Sequence, residues 1–222
     1  QAAFPPLLTS TYASMYGGCL GRLSPQRPSP VEALAQAGYR TAAFSTSPLL
    51  SRKYGYDRGF RHFYDLLPQR GNPSLRRLKG GQALLRQPWL QRAAQTLGAD
   101  LRPAAVYGSA EELTQRSIDW LREAAAQSQP QQPYFLWLHY MDVHWPYHLE
   151  EDLKDARACA QAWRDLAHLY EVNWHGAAVS AQQRAHYVAL YERALAYLDR
   201  QLGRLFAVLE ELEQVENTLL II

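Results

Sequence analysis

Residues 133–147 read PYFLWLHYMDVHWPY, and the hydrophobic pattern changes halfway along them. The first half, 134–138, is a short aromatic and aliphatic run of the kind that forms a strand buried on both faces. The second half is polar. His139, Asp142 and His144 follow within six residues, and Pro146 then removes a backbone donor and forbids continuation of the strand. Open α/β sheets bind ligands beyond the carboxyl ends of their strands. This junction is therefore the first candidate for an active-site edge.

The rest of the chain alternates in period. Ser29-Pro30 followed by VEALAQAGY predicts a capped short helix ending at Gly38, and TAAFST, from Thr41, predicts a strand directly after it. Residues 46–75 are rich in Gly, Pro, Tyr and Arg without a sustained period, which predicts an irregular surface excursion. Ser109 is placed to cap AEELTQRSIDWLREAAAQ, where Leu113, Ile118, Trp120 and Leu121 form an apolar stripe on a helix. QSQPQQP is a loop leading into the buried strand. A polar helical segment is expected from about 150 to 174, and a long helix over 180–212, with Tyr187, Leu190, Tyr191, Leu195, Leu198, Leu202 and Leu205 at helical spacing. NTLLII has strand character and stops at Ile222, so its functional residues would fall beyond it and the chain reads as cut there. Strands separated by helices predict an α/β fold with a mostly parallel sheet flanked by helices, and 41–45, 134–138 and 218–222 as neighbouring strands.

Composition adds bounds rather than identity. With 222 residues, 47% hydrophobic and 20% charged, the chain is long enough to bury a substantial core. A net charge of +2 does not indicate a nucleic-acid partner. The basic residues are uneven, since Arg70, Arg76, Arg77, Lys79, Arg86 and Arg92 fall where no acid lies between Asp65 and Asp100. That stretch is either a solvated helix face or a surface for an anionic partner. Cys19 and Cys159 are too few for a disulfide framework and lack zinc-type spacing. No apolar run of about 18 residues exists to span a membrane, and the N-terminus lacks the order of a signal peptide.

Three blocks, GYRTAAFSTSPLLSRKYGYDRGFRHFYD, FLWLHYMDVHWPY and ALYERALAYLDRQLGRLFAVLEELEQVENTLLII, resemble successive blocks of the sulfatase family within the alkaline-phosphatase-like superfamily. The resemblance covers most of the chain apart from residues 70–105 and the stretch near 150–178. It implies a partial alkaline-phosphatase-like catalytic domain over residues 1–222, truncated at both ends, with an insert at about 149–178. The implied activity is that of a metal-dependent hydrolase of sulfate esters, or of phosphate esters, with a divalent cation such as calcium beside an activated nucleophile. The alternatives are a phosphoryl-group transferase acting on an envelope or membrane polymer, and a non-catalytic relative. Substrates of this kind are small-molecule or polymer esters, and the family is often exported, which implies a periplasmic or extracellular setting.

The resemblance also implies residue roles. His144 matches the histidine that contacts the sulfuryl or phosphoryl group near the leaving oxygen, where an imidazolium can stabilise developing charge or donate a proton. Its alternative role is a backbone hydrogen bond within a turn. His139 and Asp142 lie in the same block, as substrate-binding residues or as residues that order the loop. Tyr147 is expected to pack. The family's metal-binding acids are expected upstream of Gln1 and in an Asp-His-Gly motif beyond Ile222, so no metal ligand is assigned here and the segment alone is expected to be inactive. TSTYASMYGG resembles the helix start bearing the nucleophile, which places Leu8 at that position with Thr9, Ser10 and Thr11 after it. Thr9 is the candidate hydroxyl nucleophile, and helix capping by Thr9, Ser10 and Thr11 is the alternative. Cys19, in CLGRL, lacks the proline of the family's modified cysteine. The Lys-x-His pair that many sulfatases carry after the first strand is replaced by Thr46, Ser47 and Pro48.

Overall fold

The apolar run after Gly38 forms the central strand β1 (Arg40–Ser45), buried at all six positions. A computed structural model describes residues 4–12, 14–15, 22–66, 84–97, 108–127, 132–153 and 155–222. The described elements are α1 (Phe4–Thr9), α2 (Pro30–Gln36), β1, β2 (His62–Asp65), α3 (Pro88–Thr96), α4 (Ala110–Ala126), β3 (Tyr134–His139), α5 (Ala156–His175) and α6 (Ala181–Glu211). All three strands run parallel in the order β2-β1-β3. The chain divides into two units, one of Gln1–Leu67, Tyr107–Met141 and Leu202–Ile222, the other of Pro68–Val106 and Asp142–Gln201.

In the first unit, side chains alternate across the sheet as a pleated strand requires. Ala42 and Phe44 of β1 join Leu136 and Leu138 of β3 on one face, covered by Leu113, Ile118 and Leu121 of α4 and Leu205, Val208 and Leu209 of α6. Ala43, Phe63 and Trp137 occupy the opposite face, with Leu50, Tyr56, Phe60 and Leu8 against them. Helix α2 starts where expected: the Ser29 hydroxyl accepts from the Glu32 amide and Pro30 occupies the first turn. Helix α4 is capped in the same way by Ser109. Gly59 (φ +85°) must be glycine, because a Cβ there would lie 2.5 Å from the Glu32 amide nitrogen at the start of α2.

Three expectations are corrected. NTLLII joins no ladder: Thr218 has extended backbone, but Leu219, Ile221 and Ile222 are 86%, 86% and 94% exposed. Strand propensity records fit to a half-buried pleated surface, and here no neighbouring strand supplies that surface. The third strand is instead β2, inside the stretch expected to be irregular. Its four residues are too few for a period to show, and only Phe63 is buried. The segment TSTY also lies at the end of a helix rather than at its start, since α1 finishes at Thr9 and Ser10 turns left-handed at φ +50°.

The second unit is helical in its described residues. Asp155 caps α5 by accepting from the Arg157 and Ala158 amides, and left-handed Gly176 ends it. Leu153, Cys159 and Ala162 form a small core, in which the buried Cys159 thiol donates to the Leu153 carbonyl. Buried Gln91 of α3 donates to Leu85 O, and Arg164 of α5 to Arg86 O. Arg70, Arg76, Arg77, Lys79, Gly18 and Cys19 lie outside the described residues.

Candidate active site

At the carboxyl edge of the sheet, β1 ends in a row of three polar residues. Ser45 is in register with Asp65 on one side and His139 on the other. Two residues further along each strand than Ala43, Phe63 and Trp137, all three stand on that same face. His139 is half-buried against the Trp137 ring, with centroids 5.9 Å apart, and burial lowers its pKa to about 4. The ring is therefore neutral at pH 7. It can bind a substrate oxygen by hydrogen bonding there but cannot offer a positive charge. Burial raises the Asp65 pKa, although the Arg52 amide, 3.3 Å from its Oδ2, and the Arg52 charge oppose the shift. In the stretch that replaces the Lys-x-His pair, Thr46 and Ser47 are buried and committed to backbone: Thr46 Oγ1 donates to His139 O at 3.1 Å, and Ser47 Oγ accepts from the Leu49 amide at 3.3 Å.

The neutral His139 sets a pH dependence. Its folded pKa lies below the unfolded value of 6.5, so the unfolded chain binds the extra proton between pH 6.5 and about 4. Its stabilising contribution is complete above pH 6.5 and declines as pH falls towards 4. His139→Gln should flatten the dependence of urea-unfolding stability on pH across that window. An unchanged slope would show that the ring titrates normally in the folded protein.

Thr9 closes α1 with 1% exposure, and its hydroxyl lies 2.7 Å from that of Thr11. Arg27, 1% exposed, donates through Nη1 to Thr11 Oγ1 and to Tyr12 O. A guanidinium thus organises the turn after α1, and Thr9 lies inside the packed unit.

Asp142 and His144 open the second unit, in the turn that follows β3. The His144 ring is exposed, and its Nδ1 lies 2.9 Å from Trp145 O. A carbonyl oxygen only accepts, so Nδ1 carries a proton and Nε2 is the nitrogen that takes or gives one. Tyr147 follows with φ +65°, its ring edge-on to Tyr191 at 5.5 Å. Then comes a cluster outside the residues predicted from sequence. Asp165 of α5 is 3% exposed; its Oδ2 accepts from His148 Nε2 at 2.9 Å and His186 Nε2 at 2.8 Å, and its Oδ1 from the Gln161 amide at 2.9 Å. Burial alone would raise its pKa, but these hydrogen bonds and the His186 charge outweigh it and hold the carboxyl below its ordinary value. Its own burial, and then the Asp165 carboxylate, push the Tyr187 phenol up to about 12. The sequence signal was a carboxylate in the apolar stripe of α5, between Ala162 and Leu169.

His139, Asp142 and His144 are thus joined along the chain but fall in different units, whereas His144 and His148 share one. Among the described residues no group of three or more His, Cys, Asp or Glu side chains converges to hold a metal ion. The described residues alone therefore do not supply the ligand set of the divalent cation that the resemblance implies. Among the described residues no helix is long and apolar enough to cross a membrane.

Comparisons with known proteins agree with this architecture. The crystal structure of the lipoteichoic acid synthase LtaP from Listeria monocytogenes superposes with a TM-score of 0.51 at 19% sequence identity, over 96% of this chain and 40% of that one. The chain thus spans less than half the length of that protein, and the likeness identifies the fold as the alkaline-phosphatase-like α/β type. A search of curated protein sequences gives no match. The model of the sulfatase family matches residues 3–222. Together with the parallel sheet and the polar residues at its carboxyl edge, that match places the chain in the sulfatase family.

Proposed function

We propose that the gene product containing this chain is a metal-dependent hydrolase of sulfate esters in which His144 serves the leaving oxygen. One observation supports the assignment above others: the imidazole is exposed in the turn after β3, and its Nδ1 bond to Trp145 O, which the structural alternative also expects, leaves Nε2 open to a ligand. The pairing orients the ring and makes Nε2 the reactive nitrogen. As the ester S–O bond breaks, charge develops on the leaving oxygen, and the Nε2 proton of the imidazolium neutralises it. His139, neutral through burial, and Asp142 serve as substrate-binding or loop-ordering groups. The burial of Thr9 and its bond to Thr11 support a structural role for it over a nucleophilic one.

A second reading is supported by a specific observation. The uncharged Thr46-Ser47-Pro48 stretch, buried at Thr46 and Ser47, stands where many sulfatases place two cations, and the structurally similar Listeria protein is a lipoteichoic acid synthase. Phosphoryl transfer to an envelope or membrane polymer is consistent with both. The full gene product should be assayed with 4-nitrophenyl sulfate and with bis(4-nitrophenyl) phosphate, in added calcium, magnesium or manganese and again in chelator. Chelator-sensitive release of nitrophenol from the sulfate is expected. Preference for the phosphodiester would favour the transferase, and no turnover of either ester by folded, metal-supplemented protein would sink both readings.

A further inference from the structure

We infer that Asp165 is a positioning residue for His144, acting through His148. The inference rests on the catalytic reading of His144 but is built from different residues. The turn that carries His144 is anchored three times over the next eight residues, always to α5 or α6. Tyr147 lies edge-on to Tyr191, His148 bonds Asp165, and Asp152 pairs with Arg193. Asp152 also accepts from the Leu149 amide at 3.0 Å, closing the segment on itself.

Two features single out Asp165 among these anchors. The first is burial: at 3% exposure, its carboxylate needs its three donors held in place, and Gln161 holds Oδ1 while His186 shares Oδ2 with His148. The Gln161 carbonyl oxygen in turn accepts from Arg164 at 2.7 and 3.0 Å, so the amide cannot flip without losing both ends. The second is the backbone of Tyr147. A non-glycine residue at φ +65° persists where its surroundings over-determine it. Here the ring contact at Tyr147 and the hydrogen bond of the next residue to the buried Asp165 do so. Release of His148 lets Tyr147 relax to negative φ, and the rotation passes back through the turn to the His144 ring. A displacement of about 1 Å is enough to cost on the order of a hundredfold in rate.

The sequence of His148 suggests a selective test. Glutamine presents its Nε2 donor at nearly the reach of the imidazole Nε2, whereas leucine fills the space and donates nothing. In the full gene product, Asp165→Asn and His148→Leu should each lower kcat by roughly 10- to 100-fold with KM changed less than about threefold, while His148→Gln retains most of kcat. In a His144→Ala background, Asp165→Asn should have no further effect, because the residue through which it acts is gone. Independently of activity, the His144 ring Cε1–H resonance in NMR spectra of histidine-labelled protein should move in His148→Leu and stay in place in His148→Gln. An equal loss from Asp165→Asn with or without His144, or a folded His148→Leu variant with the parent's kcat and His144 resonance, overturns the inference. If Asp165→Asn fails to fold, the two His148 variants decide. If His144→Ala is itself fully active, the catalytic reading falls, and the resonance still reports whether Asp165 holds the ring.

Discussion

His144→Ala in the full gene product is expected to reduce turnover by roughly 10²- to 10⁴-fold, the range for removing a positioned acid or base, with little change in thermal unfolding. The ring is exposed and bonds the adjacent Trp145 carbonyl, so its removal leaves no hole in a core. The leaving oxygen then has to depart with its charge unneutralised, or wait for a proton from water. His139→Ala should show the reverse balance, costing less activity and more stability, because that ring packs at the end of β3 against Trp137. Turnover and melting temperature measured for both variants decide between the roles. An active His144→Ala protein, or one that does not fold, would identify His144 as structural.

Phe44→Ala should destabilise the protein by about 3–5 kcal/mol, the usual cost of emptying a buried aromatic site. Phe44 is 1% exposed at the middle of the central strand, stacked on Tyr64 at 4.6 Å and 7° and enclosed by α4 and the end of α6. Neighbours on three elements cannot collapse into the space together, since each is held by its own contacts to the sheet. Such a loss is a large fraction of the roughly 5–15 kcal/mol that keeps a domain folded. Urea unfolding followed by circular dichroism measures it. A loss below about 1 kcal/mol would mean that the α4 and α6 layer does not close over β1 as described.

The central and the longest-range parts of the fold were legible because their middles are apolar. Every residue of β1 is buried, whereas β3, expected to be buried on both faces, is half-buried throughout, and its aliphatic and aromatic side chains made it visible without a period. The capped starts of α2 and α4 were legible for a different reason: a hydroxyl at the cap and its acceptor role are local chemistry. Strand β2 was not, because an edge strand with Phe63 as its buried residue owes its conformation to the ladder with β1 rather than to its composition. NTLLII shows the converse, a composition suited to a strand without a ladder to join. The site divides in the same way. His144 stood out beside Pro146, whereas the tie of Asp165 to His148 and His186 joins residues 17 and 21 positions away and exists only once α5 and α6 have packed. Asp65 went unread with β2, although the register row it shares with Ser45 and His139 puts it at the carboxyl edge.

The strand order β2-β1-β3 also orders events in time. Joining β1 to β2 closes a short loop, since Arg61 and Thr41 are 20 residues apart, whereas joining β1 to β3 brings together Thr46 and His139 across 93 residues. The longer closure costs roughly 1.4 kcal/mol more in chain entropy, and α4 must form within it before its apolar stripe can hold the ends. The β1–β2 pair therefore forms readily, and the ladder that delivers His139 and the turn beyond it is the late, slow step. On this ordering a newly made chain should hold the nascent sheet before its carboxyl edge is finished, with one side of β1 open to pairing with another chain.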